Sequence, residues 1–551
     1  MIQKKGDAMS HRSVTLRMFQ VALVTILLGW ADRPSVAGQT PQRVAADTAP
    51  EAKVIYTKDS APSCPKLEEL PLKQAVSQYG ITWTFDQPAH VGRFVTGDWY
   101  VVGPVTVQRI DPKPLFGDEV GETINQESVQ EDQYPGKQAR NGSSLNPPSK
   151  SKKIGFDSRC PSGRYDPACF THLPIAMKPG DSLVSTISRR NDEIRRFGGQ
   201  FVDPLRVAAV LTCVAEPQPP DAFRPSYCDS AHSKIFLSRN LRRDLLRKLP
   251  HPSNKAPANL DSYARGFQKP WLDLADFGFA APLENLPHYS QQMVEKEGEA
   301  SLLLLCEYPA QEKENVLIGL VQIGIDFYGV ARGGFVWQAH GGLNSGRKWP
   351  IVFAGIMLDD KDLQSPVKSV PGVRFGEDDQ TALGPVTYKG KPYEKSWTGS
   401  KAIFLGHSPY LWDKVKWEDG WGPLDLFPPS QWPLKEEGKM RASEGYRRAN
   451  TSGAWVAEAL AMRLMHVEEV WDHHAFFAYV DRWMTEDDTA FVKAIRDAKF
   501  ADHTGIKFGR FGRQGYVSGA PWVQEMWLKY RNHLPPAPDG HQDLPAEQTW
   551  K

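Results

Sequence analysis

"ENVLIGLVQIGIDFYGVARGG", residues 314–334, decides how the second half of this chain is built. From Val316 to Ala331 nearly every side chain is apolar, so a 3.6-residue repeat leaves no face for water. A helix of that kind is buried among other elements, and it stops at Gly333. Its polar exceptions are Gln322 and Asp326, four residues apart and on one face. A carboxylate in such surroundings requires a partner. The candidate partners are the two cations of the following loop, Arg347 and Lys348. They either tie the helix to the following loop or also hold an acidic ligand.

That loop is "WQAHGGLNSGRKWP", residues 337–350, and beyond it "RKWPIVFAGIML" restarts a helix with Pro350 in its first turn. Gly341 and Gly342 allow the backbone close to a ligand. The helix start offers unpaired N–H groups and a positive dipole end. His340, Asn344, Arg347 and Lys348 add a proton carrier, an amide and two cations, flanked by Trp337 and Trp349. This inventory suits an anion, a carboxylate above all.

Further helices follow at "TSGAWVAEALAMRLMHVEEVW", with Thr451 or Ser452 as N-cap, and at "DHHAFFAYVDRWM". The stretch "KIFLSRNLRRDLLRKL" (234–249) also reads as helical. Upstream the period changes to two. "GITWTF" alternates Ile81, Trp83 and Phe85 against threonines, and "DWYVVGPVTVQRI" and "DSLVSTIS" are β-branched runs between Gly/Pro turns. The polar stretch 112–153 reads as a surface insertion. The fold expectation is α+β and multidomain: a β-sandwich over 80–235, then an α-helical (α/α) toroid over 236–535. A linker (38–79) precedes them and a tail (536–551) follows.

Lys4, Lys5, Arg12 and Arg17 precede the apolar run "MFQVALVTILLGW" (18–30), and small Ser35 and Ala37 follow it. Residues 1–37 therefore read as a signal peptide, which predicts a secreted or periplasmic protein with no membrane span after processing. Export makes the six cysteines disulfide candidates. The local pairs are Cys160–Cys169 and Cys213–Cys228, with Cys306 a buried thiol. The 66 Lys plus Arg nearly cancel the 65 Asp plus Glu, which gives no support for a nucleic-acid partner. No CxxC or HExxH is present, so no metal and no cofactor is predicted.

Two other stretches carry chemistry. "RFGEDDQTALG" (374–384) holds Glu377, Asp378 and Asp379, and His407 follows in "SWTGSKAIFLGHSPYLW". "WEDGWGPLDLFPPSQWP" (417–433) offers Trp417, Trp421 and Trp432 as a platform, and "GYRRANTSGAW" puts Tyr446, Arg447 and Arg448 ahead of a helix. β-Elimination of a uronate polysaccharide uses such a set. One group neutralises the sugar carboxylate, a base removes the adjacent proton, and an acid protonates the leaving oxygen.

On "AHGGLNSGRKW", "GYRRANTS" and "AWVAEALAMRLM" the chain resembles secreted polysaccharide lyases, such as alginate, heparin and chondroitin lyases, which join an (α/α) toroid to a β-sandwich. Those lyases put the toroid first, whereas here the β part leads. Through "GITWTFD", "SGRKWPIVFAG", "FGED" and "YRR" it also resembles uncharacterised exported bacterial proteins. The expected activity is eliminative cleavage of an acidic polysaccharide. Tyr446 would be the acid (or base) and His340 or His407 the base, with Asn344, Arg347 and Arg448 on the carboxylate. Lys348, Arg447, Trp337, Trp349, Trp421, Asp326 and Glu377 would line the substrate. The alternatives are a glycoside hydrolase pairing Asp326 with Glu377 or Asp378 at roughly 5–10 Å, and a glycan-binding protein without catalysis.

Overall fold

The structure is a computed structural model. It describes residues 50–123, 134–161, 163–197, 200–275, 282–287, 289–414, 416–417, 422–433, 451–487, 489–497 and 517–537. The signal peptide read over 1–37 lies outside them. The chain is mixed α+β, with a large sheet in the N-terminal part and most of the long helices after it.

The sheet is organised by one long strand. We number its strands β1 (Leu72–Gln78), β2 (Ile81–Arg93), β3 (Trp99–Val102), β4 (Val105–Asp111), β5 (Ser143–Leu145), β6 (Ile175–Met177), β7 (Ser182–Ser188) and β8 (Leu205–Val214). Their order is β5-β7-β8-β3-β2-β4-β6, with β1 also on β2. The first part of β2, Thr82–Phe85, pairs with β4, and its last part, Val91–Arg93, pairs with β3. Between them the exposed Asp86–Gln87–Pro88 stretch includes a residue with no N–H to donate, and the sheet turns there. The expected sandwich thus takes the form of one curled, half-barrel sheet. The 112–153 stretch is not purely a surface insertion, because Ser143–Leu145 joins the sheet against β7.

Strand β8, "LRVAAVLTCV", is apolar almost throughout because both its faces are covered. Ala209, Leu211 and Cys213 point into the curl with Ile81, Trp83 and Phe85. Ala208 and Val210 alternate with them and join the core of the helices. That core runs from Val95 to Tyr530, so it continues across the boundary read near residue 235.

We label the helices used below α1 (Ser290–Leu304), α2 (Ala310–Arg332), α3 (Lys348–Leu358), α4 (Gly376–Gln380), α5 (Trp455–Met465) and α6 (His474–Thr485). Helix α2 is the buried helix read from the sequence. It has the length and apolar composition of a membrane span, but 89% of its most apolar window is packed inside the protein. Gly324 brings α2 against Pro350 and Ala354 of α3, and Gly298 brings α1 against Ala457 of α5.

Three local readings change. Residues 234–249 are not a helix but carry short 3-10 turns, Ser238–Asn240 and Arg243–Leu245. Arg242 N–H goes to Met357 O, and Arg243 pairs with Glu314, so tertiary partners replace helical ones. Thr451 and Ser452 do not cap α5. Ser452 Oγ lies 2.7 Å from Tyr479 OH instead. The helical half also contains two strand pairs, Thr381–Leu383 with Ala402–Phe404 and Val386–Tyr388 with Lys391–Tyr393.

No disulfide joins any of the six cysteines. Cys213 lies in the core inside the curl and Cys228 in the core of the helices, so two covered faces of one sheet stand where a bond was expected. Cys160 and Cys169 likewise form no disulfide, and Cys306 is buried as read.

Candidate functional site

The glycine-rich loop between α2 and α3 is not an open rim. From Ala339 to Pro350 every residue is buried. Its cations are consumed inside the protein. Arg347 Nε lies 2.7 Å from Asp273 Oδ2, and its Nη1 donates to Ser345 O (2.5 Å) and to Ser290 Oγ. Lys348 Nζ donates to Asp378 Oδ2 and to Trp471 O, both at 2.6 Å, and sits over the Trp471 ring. Lys348 and two of the three Arg347 nitrogens are thus held by groups of the protein itself, where the sequence reading gave them a substrate carboxylate. The partner of Asp326 is neither of them. Arg224 holds both its oxygens, at 3.0 and 2.6 Å, and Gln322 Nε2 lies 3.3 Å from Asp326 Oδ1. That removes Asp326 from a hydrolytic pair.

The tryptophans of the loop, read as lining the substrate, are core residues. Trp337 donates to Asp273 (2.8 Å) and stacks on Phe375, while Trp349 donates to Ser301 Oγ (2.8 Å). Burying these large rings satisfies both the apolar body and the single N–H. Trp421, Tyr446, Arg447 and Arg448 lie outside the described residues.

Two predicted residues are brought together. His340 and His407, 67 positions apart in sequence, have ring centroids 4.4 Å apart in an edge-to-face contact. The meeting is built by backbone bonds: Gly341 N–H donates to His407 O (2.8 Å), and Gln380 of α4 holds Leu405 N–H and Gly406 O. Between the imidazoles stands Ser408, whose Oγ is 2.6 Å from His407 Nδ1 and 3.1 Å from His340 Nδ1. Tyr410 OH is 3.4 Å from the same His340 nitrogen. Tyr410 is half-buried, whereas the histidines and Ser408 are buried. Burial, with a contribution from the Arg164 charge, lowers the His340 pKa to about 3. Burial and then His340 itself hold His407 well below the usual range. Both imidazoles are therefore neutral at pH 7.

Helices α1, α4 and α5 bring a set of carboxyls together. Glu377 of α4, Glu297 of α1 and Glu458 of α5 are all fully buried. Glu377 Oε1 accepts the Gly346 N–H. Among the described residues no N–H or hydroxyl donor reaches Glu377 Oε2 or either oxygen of Glu297 and Glu458, which face one another. Burial raises the Glu377 pKa to about 7. Burial and then the Glu458 charge raise Glu297 well above the carboxylate range; burial and then the Glu377 charge do so for Glu458. Glu297 and Glu458 adjoin, an arrangement that holds together when one carboxyl keeps its proton. Asn344 Nδ2 is spent on Gln338 O (2.7 Å), but its Oδ1, Ser345 Oγ and Arg347 Nη2 are buried with no hydrogen-bond partner in the described structure. So many unmatched buried groups in one place are unusual and point to a site built for more than packing.

The sequence reading missed Ser408, Tyr410, Glu297 and Glu458. Ser408 and Tyr410 stood beside His407 in the quoted "GHSPYLW". Glu297 shares a helix face with Met293, Val294, Ala300 and Ser301, and Glu458 is the lone acid of an apolar helix. An acid on a buried stripe is the signal that was available. Among the described residues, no group of three or more His, Cys, Asp or Glu stands in metal-holding geometry. No family model, curated protein or solved structure matches the chain.

Proposed function

We propose that this protein is an exported carbohydrate-active enzyme, a polysaccharide lyase that cleaves a uronate-containing polysaccharide by β-elimination. The observation that carries the reading is the meeting of Tyr410 OH and Ser408 Oγ at one nitrogen of a neutral histidine, His340. Elimination needs a base for the proton beside the sugar carboxylate and an acid for the departing glycosidic oxygen. In this reading His340 accepts the proton and the Tyr410 phenol supplies the other. Buried as it is, His340 is only weakly basic. An incoming uronate is an anion, and a nearby negative charge raises the pKa of an imidazole. Substrate thus helps to arm its own base. Tyr410 takes the role first assigned to Tyr446. Asn344 remains a candidate on the carboxylate, while Arg347 and Lys348 are placed in the scaffold.

The reading takes the helices of 236–535 as an (α/α) toroid, with the protein acting in the periplasm or outside the cell on an acidic polysaccharide. It calls for no cofactor. The test is incubation with alginate, glucuronan, heparan, chondroitin and pectate, following the ultraviolet absorbance of the unsaturated uronate product. At least one substrate should give it. Tyr410→Phe and His340→Ala should each lower the rate by about 10²-fold or more with the melting temperature nearly unchanged. Reducing ends without unsaturation, or full activity in both variants, would overturn the reading.

A further inference from the structure

One concavity shares no residue with the histidine group. It has a volume of about 360 Å³ and is formed by the C-terminal part of α2, the 232–236 segment and residues 362–369. That volume lies at the small end of ligand pockets. Its floor is apolar: Ile325 and Leu363 are buried and Tyr328 is half-buried. Ile325, Tyr328 and Arg332 follow helical spacing, so α2 presents one stripe to it. The Arg332 guanidinium lies 6.0 Å from the centre of the Tyr328 ring.

The rim carries charges of both signs. Lys234 Nζ is 2.8 Å from both Asp360 and Asp362, Arg332 Nη2 is 3.0 Å from Asp229, and His232 Nδ1 is 2.5 Å from Asp229. Two permanent cations thus face three carboxylates and one histidine, so no net positive charge is left to draw in an anionic ligand. Each ion pair instead offers donors and acceptors side by side, which is what a hydroxyl, itself both donor and acceptor, requires. An aromatic ring on an apolar floor matches the C–H face of a sugar ring.

We infer that the pocket bounded by Tyr328, Arg332, Lys234 and Asp362 is a binding site for one neutral pyranose unit. It stands whatever reaction takes place at His340. The ring lies over Tyr328 and Leu363, and its hydroxyls bridge the Lys234–Asp362 and Arg332–Asp229 pairs.

The experiment is calorimetric titration of the full chain with glucose, galactose, N-acetylglucosamine, cellobiose and glucuronate. At least one neutral sugar should saturate, with one site per chain and a Kd on the order of millimolar. Tyr328→Ala and Asp362→Ala should each weaken that binding by about tenfold or more, while His340→Ala leaves it as it was. Circular dichroism and melting temperature confirm that the variants are folded. The proposal is overturned if no neutral sugar saturates. It is equally overturned if glucuronate binds best, or if His340→Ala removes the binding and Tyr328→Ala does not.

Discussion

Arg224, on the segment that leaves the curled sheet, closes a two-pronged ion pair on Asp326 in the middle of α2, at 3.0 and 2.6 Å. Its remaining Nε lies 2.8 Å from Asp98 Oδ2, just ahead of β3. One buried guanidinium therefore bolts the sheet to the longest helix. Removing it strands two buried carboxylates, so Arg224→Met should cost about 3–5 kcal/mol of stability. Asp326→Asn leaves Arg224 its second partner and should cost less, roughly 1–3 kcal/mol. Urea unfolding of both variants measures this. A near-zero effect of Arg224→Met would contradict the bolt.

The contact of α2 with α3 depends on the absence of a side chain at Gly324. A Cβ there would lie 2.1 Å from Pro350 O and 2.6 Å from the Ala354 Cβ. Neither atom is the flexible end of a side chain, so the helices themselves would have to part. Gly324→Ala should destabilise by about 1–3 kcal/mol or more, despite alanine's better helix propensity. A stabilised variant would show that the two helices have room to separate.

Glu377 makes a pH prediction. Burial raises its carboxyl from the ordinary 4.5 to about 7 in the folded chain. Between those values the unfolded chain has released a proton that the folded chain retains, so the stability from this group is full at low pH and falls as pH rises through 7. Glu377→Gln lacks that proton equilibrium. Relative to the parent it should gain stability as pH rises across this window, with the two melting curves compared point by point. Parallel pH profiles would show that Glu377 ionises normally.

Thiol chemistry tests the packing of the cysteines. Cys64 is exposed, Cys169 is partly covered, and Cys160, Cys213, Cys228 and Cys306 are buried. Alkylation of the native protein should label Cys64 first and leave the four buried thiols silent until denaturant is added. Non-reducing peptide maps should show no Cys213–Cys228 bond, because those sulfurs belong to different cores. Fast labelling of Cys213 would mean that the curl is open.

Local pattern was enough to place α2, whose apolar run leaves no wet face, and the Ile81–Trp83–Phe85 alternation of β2. It was also enough to single out His340 and His407 and the loop that holds the first of them. Those features are written at spacings of two to four residues, where backbone geometry alone decides which side chains share a face. Which partner each polar group takes is not written that way. Asp326 had Arg347 within reach along the chain and pairs with Arg224, 102 positions away, while Arg347 takes Asp273. The same holds for 234–249, helical in pattern and pulled out of a helix by Met357 O and Glu314. Glu297, Glu377 and Glu458 meet only because three separate helices converge, as α1 and α5 do at Gly298. A buried charge or donor takes whichever complement the packed core sets beside it, and that choice belongs to tertiary structure.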